Sequence, residues 1–147
     1  MDYDLDRLVA FYHELTPESV MRFPEFYSAD AYFKDPFNEV RGVEAIARIF
    51  THMFRQVDAP RFVVTERLAD ANGVMLVWAF HFRVRLWRRS ESQSIHGVSH
   101  LKFAADGKVN YHRDYWDAAE ELYMKLPLAG RMMRYLKNAF SCKQPMA

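Results

Sequence analysis

The sequence predicts an α+β domain in which helical pieces precede a long antiparallel sheet and one further helix follows it. Three observations lead there. Apolar residues recur at helical spacing up to residue 57 and at every second position after Pro60. Two alternating runs flank Asp70-Ala71-Asn72-Gly73, whose Asn-Gly pair tolerates the positive φ of a hairpin turn. Aromatic residues make up 16% of the chain, which suits a wide core or a lined cavity more than a lean bundle.

The elements follow in order. Residues 4–16 read as a helix, because Leu5, Leu8, Val9, Tyr12 and Leu15 form one apolar stripe and Asp2, Asp4 and Asp6 suit its N-terminal dipole. Thr16 as an N-cap, followed by Pro17, restarts a helical turn that carries the chain to Tyr27. Residues 31–35 read as a brief strand closed by Asp35-Pro36, since proline keeps the residue before it extended. After a loop through Asn38, Val43, Ile46, Phe50, Phe54 and Val57 mark a helix over 42–57 that Asp58-Ala59-Pro60 stops. Residues 61–68 and 74–86 are the hairpin strands, and in the second one Val74, Leu76, Trp78, Phe80, Phe82, Val84 and Leu86 share a face. A polar turn is expected over 88–92, a strand over 94–103, a tight turn at Asp106-Gly107 and a last strand over 108–116. A helix over 118–125, a break at Pro127 and an amphipathic segment over 128–140 complete one domain spanning 1–147.

Charge and motif counts narrow the function. With 20 basic against 19 acidic residues the formal charge is +1, so nothing draws the chain to nucleic acid. The acidic start is unlike a signal peptide, and the longest apolar run, 74–80, is far too short to span a bilayer. A soluble cytoplasmic protein is the expectation, and the single cysteine, Cys142, fits a reducing compartment. Six histidines form no metal-ligand spacing, and His96 and His100 sit too far apart along one strand to chelate, so neither a metal nor another cofactor is expected. Beyond Glu121 the chain carries Lys125, Arg131, Arg134, Lys137 and Lys143 without an acid. Such a basic amphipathic helix is expected to cover an apolar edge of its own domain, with contact to an anionic membrane as the lesser alternative.

The richest stretch is His112-Arg113-Asp114-Tyr115-Trp116. As a strand it puts His112, Asp114 and Trp116 on one face and Arg113 and Tyr115 on the other. A carboxylate between an imidazole and an indole is what a proton-transfer or ligand pocket needs, and equally what a well-packed strand can contain.

The segment Tyr27-Ser28-Ala29-Asp30-Ala31-Tyr32-Phe33-Lys34-Asp35-Pro36-Phe37, followed by Gly42-Val43-Glu44-Ala45-Ile46, resembles the ketosteroid isomerase-like and SnoaL-like members of the nuclear transport factor two-like superfamily. The resemblance covers roughly residues 5–117. It implies a cone-shaped curved sheet wrapped around the N-terminal helices, with a homodimer through the sheet's outer face. It places Asp35 where the isomerases hold their carboxylate base and Tyr12 where a first-helix tyrosine donates to the oxyanion. At the position of their protonated aspartic acid this chain has Ser99, a departure from the steroid isomerase set. Asp114 matches an acidic residue that SnoaL-like cyclases hold on the last strand.

Two readings stay open. In one, a cavity lined by Phe33, Trp78, Phe80, Phe82 and Trp116 binds a small apolar carbonyl compound; Asp114 or Asp35 moves a proton while Tyr12 or Ser99 steadies the enolate. In the other, the same cavity serves a non-catalytic binding or dimerisation module, Asp35 merely caps a turn and Tyr12 belongs to the core.

Overall fold

Helix α1 (Leu5–His13) begins where the Asp4 side chain accepts from the Arg7 amide at 2.9 Å, and it buries Leu8, Val9, Phe11 and Tyr12. It ends three residues sooner than the apolar stripe predicts, and Leu15 is buried from the loop that follows. Thr16 and Ser19 then exchange backbone-to-side-chain bonds, opening a 3-10 turn (Ser19–Arg22) and the short helix α2 (Phe23–Phe26), which carries Pro24 in its first turn. Phe11 stacks on Phe26 at 4.2 Å, while Phe23 packs against Phe50 at 4.8 Å, so these pieces share one aromatic core.

Strand β1 (Tyr27–Lys34) starts four residues before the predicted 31, because Tyr27 already pairs with the last strand. The edge strand β2 (Glu39–Arg41) has no counterpart in the prediction; three residues with one half-buried valine give too little alternation to read. Helix α3 (Val43–Gln56) presents Val43, Ile46, Phe50 and Phe54 to the core at steps of three and four.

The helix ends before Pro60 as expected, but the strand expected from residue 61 already includes it. Strand β3 (Val57–Asp70) begins at the residue after α3 and passes through Pro60 where its register against the next strand slips, between Asp58 and Arg61, with Ala59 at φ 50°. Strand β4 (Gly73–Val84) follows a two-residue turn, and Gly73 is required there: at φ 142° a Cβ would lie 2.3 Å from the Leu101 carbonyl oxygen. The predicted polar turn over 88–92 is instead the start of β5 (Arg88–Phe103), whose Ser92 pairs with Arg83. Sequence polarity misleads there because cross-strand hydrogen bonds, not side chains, hold an exposed strand end. Strand β6 (Val109–Trp116) closes the series.

These strands form one open, curved sheet in the order β2-β1-β6-β5-β4-β3. All neighbours are antiparallel except β1 and β6, which run parallel with Phe33 opposite His112. That pairing sets the first strand against the last. The inner face carries Val74, Leu76, Trp78, Phe80, Phe82, Ile95 and Leu101, all buried with the apolar sides of α1 and α3.

The computed structural model describes residues 3–85, 88–121 and 127–140, and its contacts divide the chain into two units, 1–116 and 117–147. The expected place of Leu86 in the β4 stripe lies outside the described residues. The second unit contains α4 (Ala118–Glu121) and α5 (Pro127–Phe140), the latter opening at Pro127 where the break was expected. Met132, Tyr135, Leu136 and Phe140 of α5 are exposed. No helix among the described residues is long and apolar enough to cross a membrane.

Candidate functional site

The site grows from the alternation of β6. His112 and Asp114 lie two residues apart on its inner face, and His112 Nε2 meets Asp114 Oδ1 at 2.7 Å. Register brings the next member: Ser99 of β5 sits opposite Asp114, and its hydroxyl donates to the same Oδ1 at 2.5 Å. One strand further, Trp78 Nε1 donates to Ser99 Oγ at 2.8 Å. The indole reaches that far because its neighbour across β4 and β5 is Gly97; a Cβ there would lie 2.5 Å from two Trp78 ring carbons.

The other end of the network comes from far off in sequence. Parallel pairing of β1 with β6 brings Tyr27 to His112, and the phenol oxygen meets Nδ1 at 2.6 Å. Tyr12, from the buried stripe of α1, meets the Tyr27 hydroxyl at 2.6 Å. One continuous hydrogen-bonded run results, buried except at the partly exposed Asp114: Tyr12, Tyr27, His112, Asp114, Ser99, Trp78. Phe33 packs edge-on against the His112 ring at 4.9 Å and keeps the run apolar on that side.

Donor chemistry orients the whole chain. An indole N–H only donates, so Ser99 accepts from Trp78 and its single proton goes to Asp114. With Asp114 ionised and the imidazole neutral, His112 donates through Nε2, its Nδ1 is left as an acceptor, Tyr27 donates to Nδ1, and Tyr12 donates to the Tyr27 oxygen. Every proton points toward Oδ1. The Asp114 side chain, 15% exposed, is more open than the His112 side chain at 4%, and no described residue donates to its Oδ2.

Electrostatics hold the two phenols neutral. Burial raises the Tyr12 pKa above its ordinary value; the Tyr27 hydrogen bond pulls it partly back, and the nearby Asp114 charge adds a smaller rise. Burial likewise raises Tyr27, with Tyr12 and Asp114 adding to it. In the unfolded chain both ionise near 10.0. Their contribution to stability is therefore complete below about pH 10 and is lost as pH rises from there toward the folded values, at about 1.4 kcal/mol per pH unit for each phenol. Urea midpoints measured between pH 9 and 11 are expected to fall more steeply for the wild type than for Tyr12→Phe or Tyr27→Phe. Equal slopes in all three proteins contradict this account.

The remaining sequence candidates fall in two groups. Phe33, Trp78, Phe80 and Phe82 are buried in the core, with Phe62 stacked on Phe80 at 4.2 Å, and Trp116 packs against that core partly exposed. Asp35 stands apart from the network. Its Oδ1 accepts from the Phe37 and Asn38 amides at 2.7 Å each and both its oxygens accept from Asn38 Nδ2 at 3.1 Å, so its carboxylate closes its own turn. A cleft of about 480 Å³ opens beside the Asp70–Gly73 turn, lined by Tyr3, Lys102 and Phe103 among others, and no network residue lines it. Among the described residues no group of three or more His, Cys, Asp or Glu is placed to hold a metal. Tyr27 is the network member that sequence reasoning missed as a site residue. Its signal was faint: a polar aromatic opening the tyrosine-rich segment that leads to Asp35-Pro36.

No curated protein matches the chain. Among solved structures, a nuclear transport factor two-like protein of unknown function from Burkholderia pseudomallei superposes with a TM-score of 0.69 at 13% identity, covering 82% of this chain and 95% of that one. A protein from Jannaschia sp. CCS1, provisionally assigned as a SnoaL-like polyketide cyclase, gives 0.68 at 14% identity over 79% and 86%. One from Catenulispora acidiphila with a ketosteroid isomerase-like fold, solved with trimethylamine, gives 0.66 at 12% identity over 80% and 88%. At these identities the likeness is one of fold. The sequence model of the SnoaL-like domain matches residues 4–112, from the cap of α1 to the histidine of the network. With that match across most of the chain and the sheet and helices arranged as in those structures, the chain belongs to the SnoaL-like domain family.

Proposed function

We propose that this domain binds a small apolar carbonyl compound and that Asp114 moves a proton on it. The observation that carries the reading is the asymmetry of the carboxylate: Ser99 and His112 both hold Oδ1, and no described residue donates to Oδ2. A general base needs a fixed orientation and one open basic atom. The substrate's α C–H bond breaks, its proton passes to Oδ2, and the electron pair moves into the carbonyl as an enolate. Protonated Asp114 then returns the proton to another carbon of the enolate, giving isomerisation, or, where the enolate carbon has first added to a second carbonyl of the substrate and closed a ring, to the alkoxide oxygen formed there, in either case without a cofactor. The provisional cyclase assignment of the Jannaschia protein is consistent with this chemistry.

A second reading has its own observation. The Ser99 proton goes to Asp114 and the Tyr12 proton to Tyr27, so both hydroxyls expected to steady an enolate are engaged inside the protein. A domain that only binds its ligand needs no more than this. The two are separated by incubating the protein in deuterium oxide with a panel of small cyclic and aryl ketones and following the α-proton signals by NMR. Catalysed loss of an α-proton signal supports proton transfer. Saturable binding with exchange at the buffer rate for every bound compound supports the module.

A further inference from the structure

Tyr27 is the most deeply buried polar member of the network, 1% exposed, and its hydroxyl sits between Tyr12 and His112 at 2.6 Å from each. A neutral imidazole has two tautomers, and the partners on its two nitrogens decide between them. Asp114 favours the Nε2–H form from one side. Tyr27 favours the same form from the other only while its hydroxyl donates, and Tyr12, whose hydroxyl has no other partner among the described residues, sets that direction. Tyr12 completes the arrangement: by donating to the Tyr27 oxygen it leaves the Tyr27 proton to point at Nδ1.

We infer that Tyr27 is a positioning residue that locks His112 in its Nε2–H tautomer, so that Oδ1 of Asp114 always has its donor and Oδ2 is the oxygen left to react. The role matters to chemistry only on the reading of Asp114 as the base. Without the lock, the Nδ1–H tautomer would turn a bare Nε2 toward Oδ1, two acceptors would face each other at 2.7 Å, and the carboxylate would rotate away. Tyr27 comes from β1 and His112 from β6, so the lock is set by the parallel pairing of these two strands.

The test is histidine side-chain NMR on the full-length, ¹⁵N-labelled protein near neutral pH, with the His112 signals assigned by their loss in His112→Gln. The wild type is expected to show Nε2 protonated and Nδ1 bare. Tyr27→Phe is expected to lower the Nε2–H preference roughly five- to tenfold, the worth of one hydrogen bond, drawing the two nitrogen shifts together. Tyr12→Phe retains the bond from Tyr27 to Nδ1 and is expected to keep the wild-type pattern. A wild type with Nδ1–H, or a Tyr27→Phe protein with an unchanged pattern, overturns the inference. Should Tyr27→Phe not fold, the wild type decides alone: a protected Tyr27 hydroxyl proton coupled across the bond to Nδ1 supports the lock, and a proton resident on Nδ1 overturns it. Full activity in Asp114→Asn would overturn the proton-transfer reading while leaving the tautomer pattern as it is, so the two failures are distinct.

Discussion

Asp114→Asn is expected to slow proton transfer by about 10²- to 10⁴-fold, the usual worth of a general base. The substitution is close to isosteric. The amide oxygen can keep the bonds from Ser99 and His112, both of which reach Oδ1 in the native protein, and only the basicity of the open position is removed. The thermal midpoint and far-ultraviolet spectrum are therefore expected to change little while the α-proton exchange rate falls toward background. The rate on any substrate found in the ketone panel is the measurement. Retention of the rate within about twofold would exclude Asp114 as the base. A full loss in Asp35→Asn with none in Asp114→Asn would return that role to Asp35, despite the turn that its carboxylate closes.

Gly97→Ala is expected to destabilise the fold by about 2–3 kcal/mol, at the upper end of the cost of overpacking. The new methyl would meet two Trp78 ring carbons at 2.5 Å and Trp116 Cβ at 3.1 Å. The Trp78 indole cannot yield easily, since it is buried in the core and anchored through Nε1 to Ser99. A displaced indole leaves Ser99 without its donor, so the effect reaches Asp114. Chemical denaturation gives the magnitude, and a double-mutant cycle gives the cause. Trp78→Phe alone removes a hydrogen bond and leaves a void, yet combined with Gly97→Ala it relieves the clash, so the two changes should couple by about 1–2 kcal/mol in the compensating sense. A Gly97→Ala protein within about 0.5 kcal/mol of the wild type would show that the strand has room that the geometry denies.

Most of the sheet was legible in the sequence because its signals are local. Trp78, Phe80 and Phe82 alternate along β4, the Asn72-Gly73 pair fixes the hairpin, and His112 and Asp114 declare a shared face by parity alone. What failed depended on partners distant in the chain. Tyr27 belongs to β1 through its pairing with β6, and neither composition nor period reveals a pairing between residues so far apart in sequence. The helix stop read at Asp58-Ala59-Pro60 holds, but the strand expected from residue 61 begins at Val57, because a bulge around Ala59 takes Pro60 into β3. Asp35 shows the limit in another form: its position matched a catalytic one, while its actual partners, the amides of Phe37 and Asn38, are its own neighbours.

The parallel pairing of β1 with β6 also sets how the chain's entropy is divided during folding. Trp78 and Ser99 are 21 residues apart and Ser99 and Asp114 are 15 apart, whereas Tyr27 and His112 are separated by 85. By the logarithmic law of loop closure, bringing Tyr27 to His112 costs roughly 1.5 kcal/mol more than bringing Ser99 to Asp114. The β4-β5-β6 meander can thus hold the carboxylate from contacts close in sequence. The imidazole acquires its second partner only when the N-terminal segment lands on the far edge of β6, a step of high contact order that belongs late in assembly.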